Sequence, residues 1–147
     1  MPIRCEIVSQ DRTVFEGDVD IIVAPGFDGE MGILPHHSPV LTVLKTGVLK
    51  IRKDSQEQFF AISGGFMEVQ PDLVTVLADA AEMADEIDVS RAEEARRRAE
   101  ESLTLAPEHS PAYEAAEAAL RRSALRLNVA RRRRESGLPL GSGSPIR

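Results

Sequence analysis

The chain has 147 residues, 42% of them hydrophobic and 29% charged, with a formal net charge of −6; this is the make-up of one soluble domain, or of a small domain with an appendage. An aromatic fraction of 4%, with no Trp and one Tyr, argues against a base-stacking platform or an aromatic sugar cleft, since both use rings as contact surface. The longest run without Asp, Glu, Lys or Arg, Met31–Leu44, has 14 residues including two prolines, short of the ~20 apolar residues of a spanning helix.

The first segment, MPIRCEIVSQDR, has no apolar stretch of the kind a secretory signal needs. Cys5 is the one cysteine and has no internal partner. A reduced, cytosolic chain is expected. Ile3-Arg4-Cys5-Glu6-Ile7 alternates apolar and polar, the period of a half-buried strand with Cys5 in the core. Val19, Ile21 and Val23 repeat the pattern. Further strands are expected over Val40–Leu44, Gly47–Arg52, Phe59–Ser63, Phe66–Gln70 and Leu73–Ala78. Turn signals separate them: Pro25-Gly26 with Asp28-Gly29, Asp54-Ser55, Gly64-Gly65 and Pro71-Asp72. Short strands at this spacing predict an antiparallel β-sandwich or flattened barrel over residues 1–86.

Gly then vanishes between Phe66 and Ser136 while Ala becomes dense. Residues 87–134 predict an antiparallel two-helix hairpin. Asp88 or Ser90 can cap the first helix, and Ser90 with Glu93 fits a capping box. Its apolar stripe is Ala92, Ala95, Ala99 and Leu103, and Leu105-Ala106-Pro107 ends it. Ser110-Pro111 opens the second helix, with Ser as cap and Pro at the first helical position. Its stripe is Ala112, Ala116, Leu120 and Leu127. Folded back about residues 106–109, Ala92 faces Ser123, Ala95 faces Leu120, Ala99 faces Ala116 and Leu103 faces Ala112. Such a seam is mostly methyl groups, at ~0.8 kcal/mol per buried carbon. Good helix propensity and the pairs Glu93–Arg97, Glu94–Arg98 and Glu117–Arg121 support the helices themselves. Sturdy helices on a thin seam suit a detachable arm, although on these residues alone a plain helical appendage is the simpler account. Residues 135–147, rich in Gly, Ser and Pro, read as a disordered tail.

Charge divides along the same line. Residues 1–86 hold 6 basic and 15 acidic side chains, and residues 87–147 hold 12 and 9. An acidic body thus carries a basic arm, which suits an acidic partner. Arg122 and Arg126 lie one turn apart, where like charges repel. In the hairpin register Arg91 lies level with them, near the first turn of helix one. Arginine forks and a helix N-terminus both suit phosphate. On spacing alone, solvated arginines are the simpler account. Asp88 has two uses there, as a cap or as an acceptor for a ribose hydroxyl or adenine amino group. Arg96-Arg97-Arg98 spread round the helix as a solvated face. Arg131–Arg134 form a cationic cluster without interleaved aromatics, so sequence-reading of nucleic acid is not expected. His36-His37 have no nearby Cys and make a poor metal site. No nucleophile–base constellation stands out. The glycines of Gly29–Gly32 and Ser63–Phe66 lack a P-loop lysine.

Four segments resemble the epsilon subunits of F-type rotary ATP synthases: GEMGILPHHSPV (Gly29–Val40), FFAISGGFMEVQPDLVTVLADAAE (Phe59–Glu82), EIDVSRAEEA (Glu86–Ala95) and ALRRSALRLNVA (Ala119–Ala130). They fall in order across residues 1–130. His36 stands where the family usually has Gly, and Arg131–Arg134 with the tail exceed the usual ending. The resemblance implies a non-catalytic rotor subunit of the central stalk of a proton-translocating ATP synthase. It would lie peripherally on the cytoplasmic face of the membrane, with no transmembrane segment and no required cofactor or metal. Its sandwich would bind the gamma subunit and sit on the c-ring, with the loop Gly29–Val40 a candidate for that contact. Its arm would extend to the alpha/beta head and block ATP hydrolysis. Some bacterial members bind regulatory ATP in the folded hairpin. The matching positions are Glu82, Ile87, Asp88, Arg91, Ala92, Arg122 and Arg126, all occupied by residue types that the pattern uses. Two other readings, a free-standing nucleotide enzyme and a nucleic-acid-binding arm, have less behind them.

Overall fold

The computed structural model describes residues 2–136. Among these, ten strands run in order: β1 (Ile3–Val8), β2 (Thr13–Val19), β3 (Ile21–Gly26), β4 (Gly29–Ile33), β5 (Val40–Leu44), β6 (Gly47–Lys53), β7 (Gln56–Ile62), β8 (Gly65–Val69), β9 (Leu73–Ala78) and β10 (Ala81–Met83). A 3-10 turn, Ala84–Glu86, leads to helices α1 (Val89–Leu105) and α2 (Pro111–Ser136). The expected tail over 137–147 lies outside the described residues. Ser136 is still helical, so α2 runs two residues past the expected end of the arm.

The strands form one path, β10-β7-β6-β3-β5-β8-β9-β1-β2, with β4 paired to β3. β2 returns against β6 and β10, which folds the path into a sandwich. The pairings are antiparallel except that β1 runs parallel to β9. Alternation in β1 works as expected: Ile3, Cys5 and Ile7 are all at most 1% exposed. They pack with Ile22, Ile33, Leu49, Phe60, Met67 and Val76 in one core. Burial, with the nearby Glu6 charge adding, pushes the Cys5 thiol up to about 12, so it is unreactive near neutral pH.

Three strands lacked a sequence signal. In β2, TVFEGDV carries Gly and two acids, which depress strand propensity; its pairing with β1 overrides that. β10 has three residues and depends on β7 for its hydrogen bonds. β4 occupies the start of what reads as a loop over Gly29–Val40. Its glycines weaken the strand signal, but Gly29 through Ile33 pair with β3 in full register. Only 34–39 remains a loop. His36 sits there at φ 66°, a left-handed conformation that favours glycine, and its N–H donates to the Pro71 carbonyl at 2.9 Å.

β7 is buried on both faces. Phe60 and Ile62 point into the sandwich core, while Phe59 and Ala61 point outward under the arm. There they meet Ala84, Ile87, Val129 and Ala130. The opposite part of the sheet stays bare. Val43, Phe66 and Leu77 lie side by side across β5, β8 and β9 and are about half exposed, with Leu41 beyond them.

The hairpin follows the expected polarity, with two corrections. Asp88, not Ser90, caps α1, accepting from the Arg91 N–H at 3.1 Å. Ser90 lies inside the helix, so the Ser90/Glu93 capping box is not used. Ser110 caps α2, accepting from the Tyr113 N–H at 3.1 Å. Ala92, Ala99, Ala116 and Ser123 are buried between the helices, and the Ser123 hydroxyl donates to the Leu120 carbonyl. Ala112 is exposed, however, and Tyr113 is turned inward in its place. A 3.6-residue period continued from Ala116 admits either position, and the larger ring gains more by burial. Glu94–Arg98 closes at 3.6 Å. No described helix is long and apolar enough to cross a membrane.

Gly65 gives a direct test of this fold. Its φ is 123°, and an added Cβ would lie 2.2 Å from the Leu77 carbonyl oxygen in the β8–β9 pair. Gly65→Ala is expected to destabilise the sandwich by about 2–4 kcal/mol, read as a lowered urea midpoint at unchanged m-value.

Candidate functional site

The connection between sandwich and arm runs from β10 through the 3-10 turn to Asp88. Two arginine forks grip its glutamates. The Arg126 side chain, on α2, donates from Nε and Nη2 to the Glu82 carboxylate at 2.8 and 3.1 Å. The Arg12 side chain, in the β1–β2 turn, donates from Nη2 and Nη1 to Glu86 at 2.9 and 3.3 Å. Glu86 Oε1 also accepts from the Met83 N–H at 3.1 Å. The hydrogen bonds from Arg12, helped by that N–H and the Arg12 charge, hold the Glu86 carboxyl below its ordinary range.

Between these grips lies a cleft of about 380 Å³. Its sandwich wall is the turn Ser9–Arg12 with Ser63, Asp79 and Ala80. Glu82 stands at one side, and Arg122, Leu125 and Arg126 of α2 form the other wall. Of the seven residues marked by sequence, Glu82, Arg122 and Arg126 therefore share this cleft. The other four lie along the entry to α1. Ile87 is buried against Val129 and Ala130. Asp88 is the cap, Arg91 is exposed on the first turn, and Ala92 is sealed in the helix seam. Arg91 does not line the cleft. The repulsion expected between Arg122 and Arg126 is relieved on one side by Glu82.

Arg12, Asp79 and Ser63 carried no sequence signal. Arg12 is a lone basic residue in a polar turn, and its partner is 74 positions away. The Arg131–Arg134 run also resolves differently from a free cationic cluster. Arg131 donates to Asn128 at 3.1 Å. The Arg132 guanidinium sits 5.0 Å from the centroid of the Phe59 ring, a cation–π contact that closes the edge of the arm's apolar seat. No group of three or more potential metal ligands occurs among the described residues.

Residues 2–84 match the family model described as the beta-sandwich domain of the ATP synthase delta/epsilon chain, and residues 85–131 match its long alpha-helix domain. The chain belongs to this family. An ATP synthase epsilon chain from Dehalococcoides mccartyi is 50% identical over 135 residues, covering 90% of this chain and 95% of the relative. One from Herpetosiphon aurantiacus is 50% identical over 134 residues, covering 91% and 98%. Among solved structures, a chain of the Euglena gracilis mitochondrial ATP synthase OSCP/F1/c-ring assembly is similar at a TM-score of 0.70 and 25% identity, over 82% of this chain and 76% of that one. A chain of the Tetrahymena thermophila central stalk and c-ring shares the fold at a TM-score of 0.59 and 16% identity, over 88% and 97%. The family's boundary between its two domains falls at 84/85, inside the gripped connection.

The Arg12–Glu86 pair makes a pH prediction. Glu86 titrates lower folded than unfolded, so the pair's contribution is complete above the ordinary glutamate range, near pH 4.3. It is lost as pH falls through the lowered folded value. The carboxylate is 41% exposed, which limits the effect to about 0.5 kcal/mol. Glu86→Gln should flatten the acid limb of a stability–pH curve below about pH 4.5.

Proposed function

We propose that this protein is a non-catalytic rotor subunit in the central stalk of a proton-translocating ATP synthase. It couples the c-ring to gamma and lies peripherally on the cytoplasmic face of the membrane. The observation that carries the reading is family membership across both the sandwich and the hairpin. The bare strip of Leu41, Val43, Phe66 and Leu77 supports a partner on the sandwich, since apolar surface left open on one sheet face marks a contact. Leu34, 56% exposed in the loop after β4, supports that loop as a c-ring contact.

The arm has the character of a releasable inhibitor. At 1.5 Å per residue, α1 and α2 measure about 26 and 39 Å, long enough to reach along gamma into the alpha/beta head. Its seat on the sandwich is small: six buried residues, three of them alanine, plus the Glu82–Arg126 and Phe59–Arg132 contacts. Regulatory ATP in the folded state would hold it down, with Glu82, Ile87, Asp88, Arg91, Ala92, Arg122 and Arg126 as the residues of the site. At 100 times its dissociation constant, a ligand specific to the folded arm adds ~2.7 kcal/mol, enough to shift a weakly seated element.

Calorimetric titration of the full chain with ATP, with GTP as control, tests this. Selective ATP binding that weakens about tenfold or more in Arg126→Ala is expected. An affinity untouched by that change would overturn the ATP site. Failure to co-purify with gamma would overturn the rotor assignment.

A further inference from the structure

Sequence matching puts the ATP ligands on the arm and the connection leading to it, yet the cleft that holds Arg122 and Arg126 has a sandwich wall. That wall carries one cation, Arg12. We propose that Arg12 is a direct phosphate contact for the regulatory nucleotide, so that the ligand bridges the sandwich to the arm. The inference rests on the ATP reading above and adds, to Glu82 on β10, a second sandwich residue, in the β1–β2 turn.

Three observations carry it. First, Arg12, Arg122 and Arg126 line the same cleft, from elements on opposite walls. Their forks are suited to shared phosphate oxygens. Second, two of the three are already occupied by carboxylates, Glu86 on Arg12 and Glu82 on Arg126, each through two hydrogen bonds. A guanidinium has five N–H donors, so each pair leaves three to share. The forks are thus oriented in advance. Third, the lining is mixed in sign, because Asp11, Asp79 and Glu82 stand among the arginines. A bare polyanion would meet those carboxylates unfavourably. A nucleoside triphosphate offers phosphates to the arginines, and ribose hydroxyls and a base amino group to the acids. At about 380 Å³ the cleft lies within the ~300–1,000 Å³ of small-ligand sites.

The consequence is mechanical. A ligand held by the hairpin and Glu82 would touch the sandwich only at β10, a strand of three residues. One that also binds Arg12 fastens α2 to the β1–β2 turn, so its binding energy opposes release of the arm.

Arg12 has a rival role as a strut that positions the connection through Glu86. The two roles differ in sign. As a strut, Arg12→Ala and Glu86→Gln break the same pair and should change ATP affinity alike. As a phosphate contact, Arg12→Ala should weaken ATP binding about tenfold or more, whereas Glu86→Gln frees the fork, removes a negative charge and should tighten binding. Arg12→Lys keeps the charge, loses the fork and should fall between. Calorimetry on the full-length variants, with melting curves run without nucleotide, measures both. Inorganic triphosphate competing with ATP in wild type, and competing less well in Arg12→Ala, supports the contact. Affinity unchanged in Arg12→Ala while Arg126→Ala loses it would overturn the proposal and leave the ATP reading standing. So would equal losses in Arg12→Ala and Glu86→Gln. Absence of ATP binding in wild type would overturn both. If Arg12→Ala does not melt cooperatively, the Arg12→Lys and Glu86→Gln pair decides, since opposite signs are required.

Discussion

The structure turns on a strand with two dry faces. In β7, Phe60 and Ile62 complete the sandwich core while Phe59 and Ala61 make the seat for the arm. A strand of a two-layer sandwich ordinarily shows one face to water. Here the arm replaces water, and whatever lifts the arm exposes Phe59 and Ala61. The seat is therefore a measure of how firmly the arm is held. Three of its six buried residues are alanines, Ala61, Ala84 and Ala130, beside Phe59, Ile87 and Val129, with Val48, Val89 and Leu125 partly buried against them. Burial energy scales with apolar area, so the patch contributes less than one of leucines in the same space. The seam between α1 and α2, with Ala92, Ala99, Ala116 and Ser123, follows the same rule. Helix propensity keeps each helix intact while packing leaves both contacts thin.

Polar contacts supplement the seat at its edges. Arg132 covers the Phe59 ring, and Arg126 holds Glu82. Both arginines lie on α2, on the helix face that meets the sandwich. Arg12 holds Glu86 from the other side. The connection between domains is thus clamped by one arginine from each body. Partly exposed ion pairs of this kind weaken with salt and are individually modest. They set geometry more than they add stability, and they leave guanidinium donors facing a common cleft.

Away from the arm's seat, the sandwich has a second apolar strip, and this one is exposed. Val43, Phe66 and Leu77 align across three strands with no covering element among the described residues. One sheet face therefore carries an element of its own chain, and another lies open. This division separates the face that the arm covers from the apolar strip that it leaves uncovered.

Much of this was legible in the sequence. Alternation located β1, the charge split separated body from arm, and Ser110-Pro111 set the start of α2, while α1 had two candidate caps, Asp88 and Ser90, of which the fold uses Asp88. These are local properties, fixed by side-chain period, capping and propensity within a few residues. The strands that escaped notice, β2, β4 and β10, are weak by those same local rules and exist because a neighbour supplies their hydrogen bonds. The choice of Tyr113 over Ala112 for the hairpin seam was likewise a matter of packing, since helical period admits either. The candidate site divides in the same way. Arg122 and Arg126 stood out by their spacing on one helix. Arg12 did not, because its place beside them is decided by a pairing across 74 positions that no local pattern encodes. The sequence by itself determined the two helices and those strands and turns whose local signals are strong. Only the tertiary structure decided which faces meet, because that depends on which apolar areas and charges the closed sandwich leaves for the arm to cover.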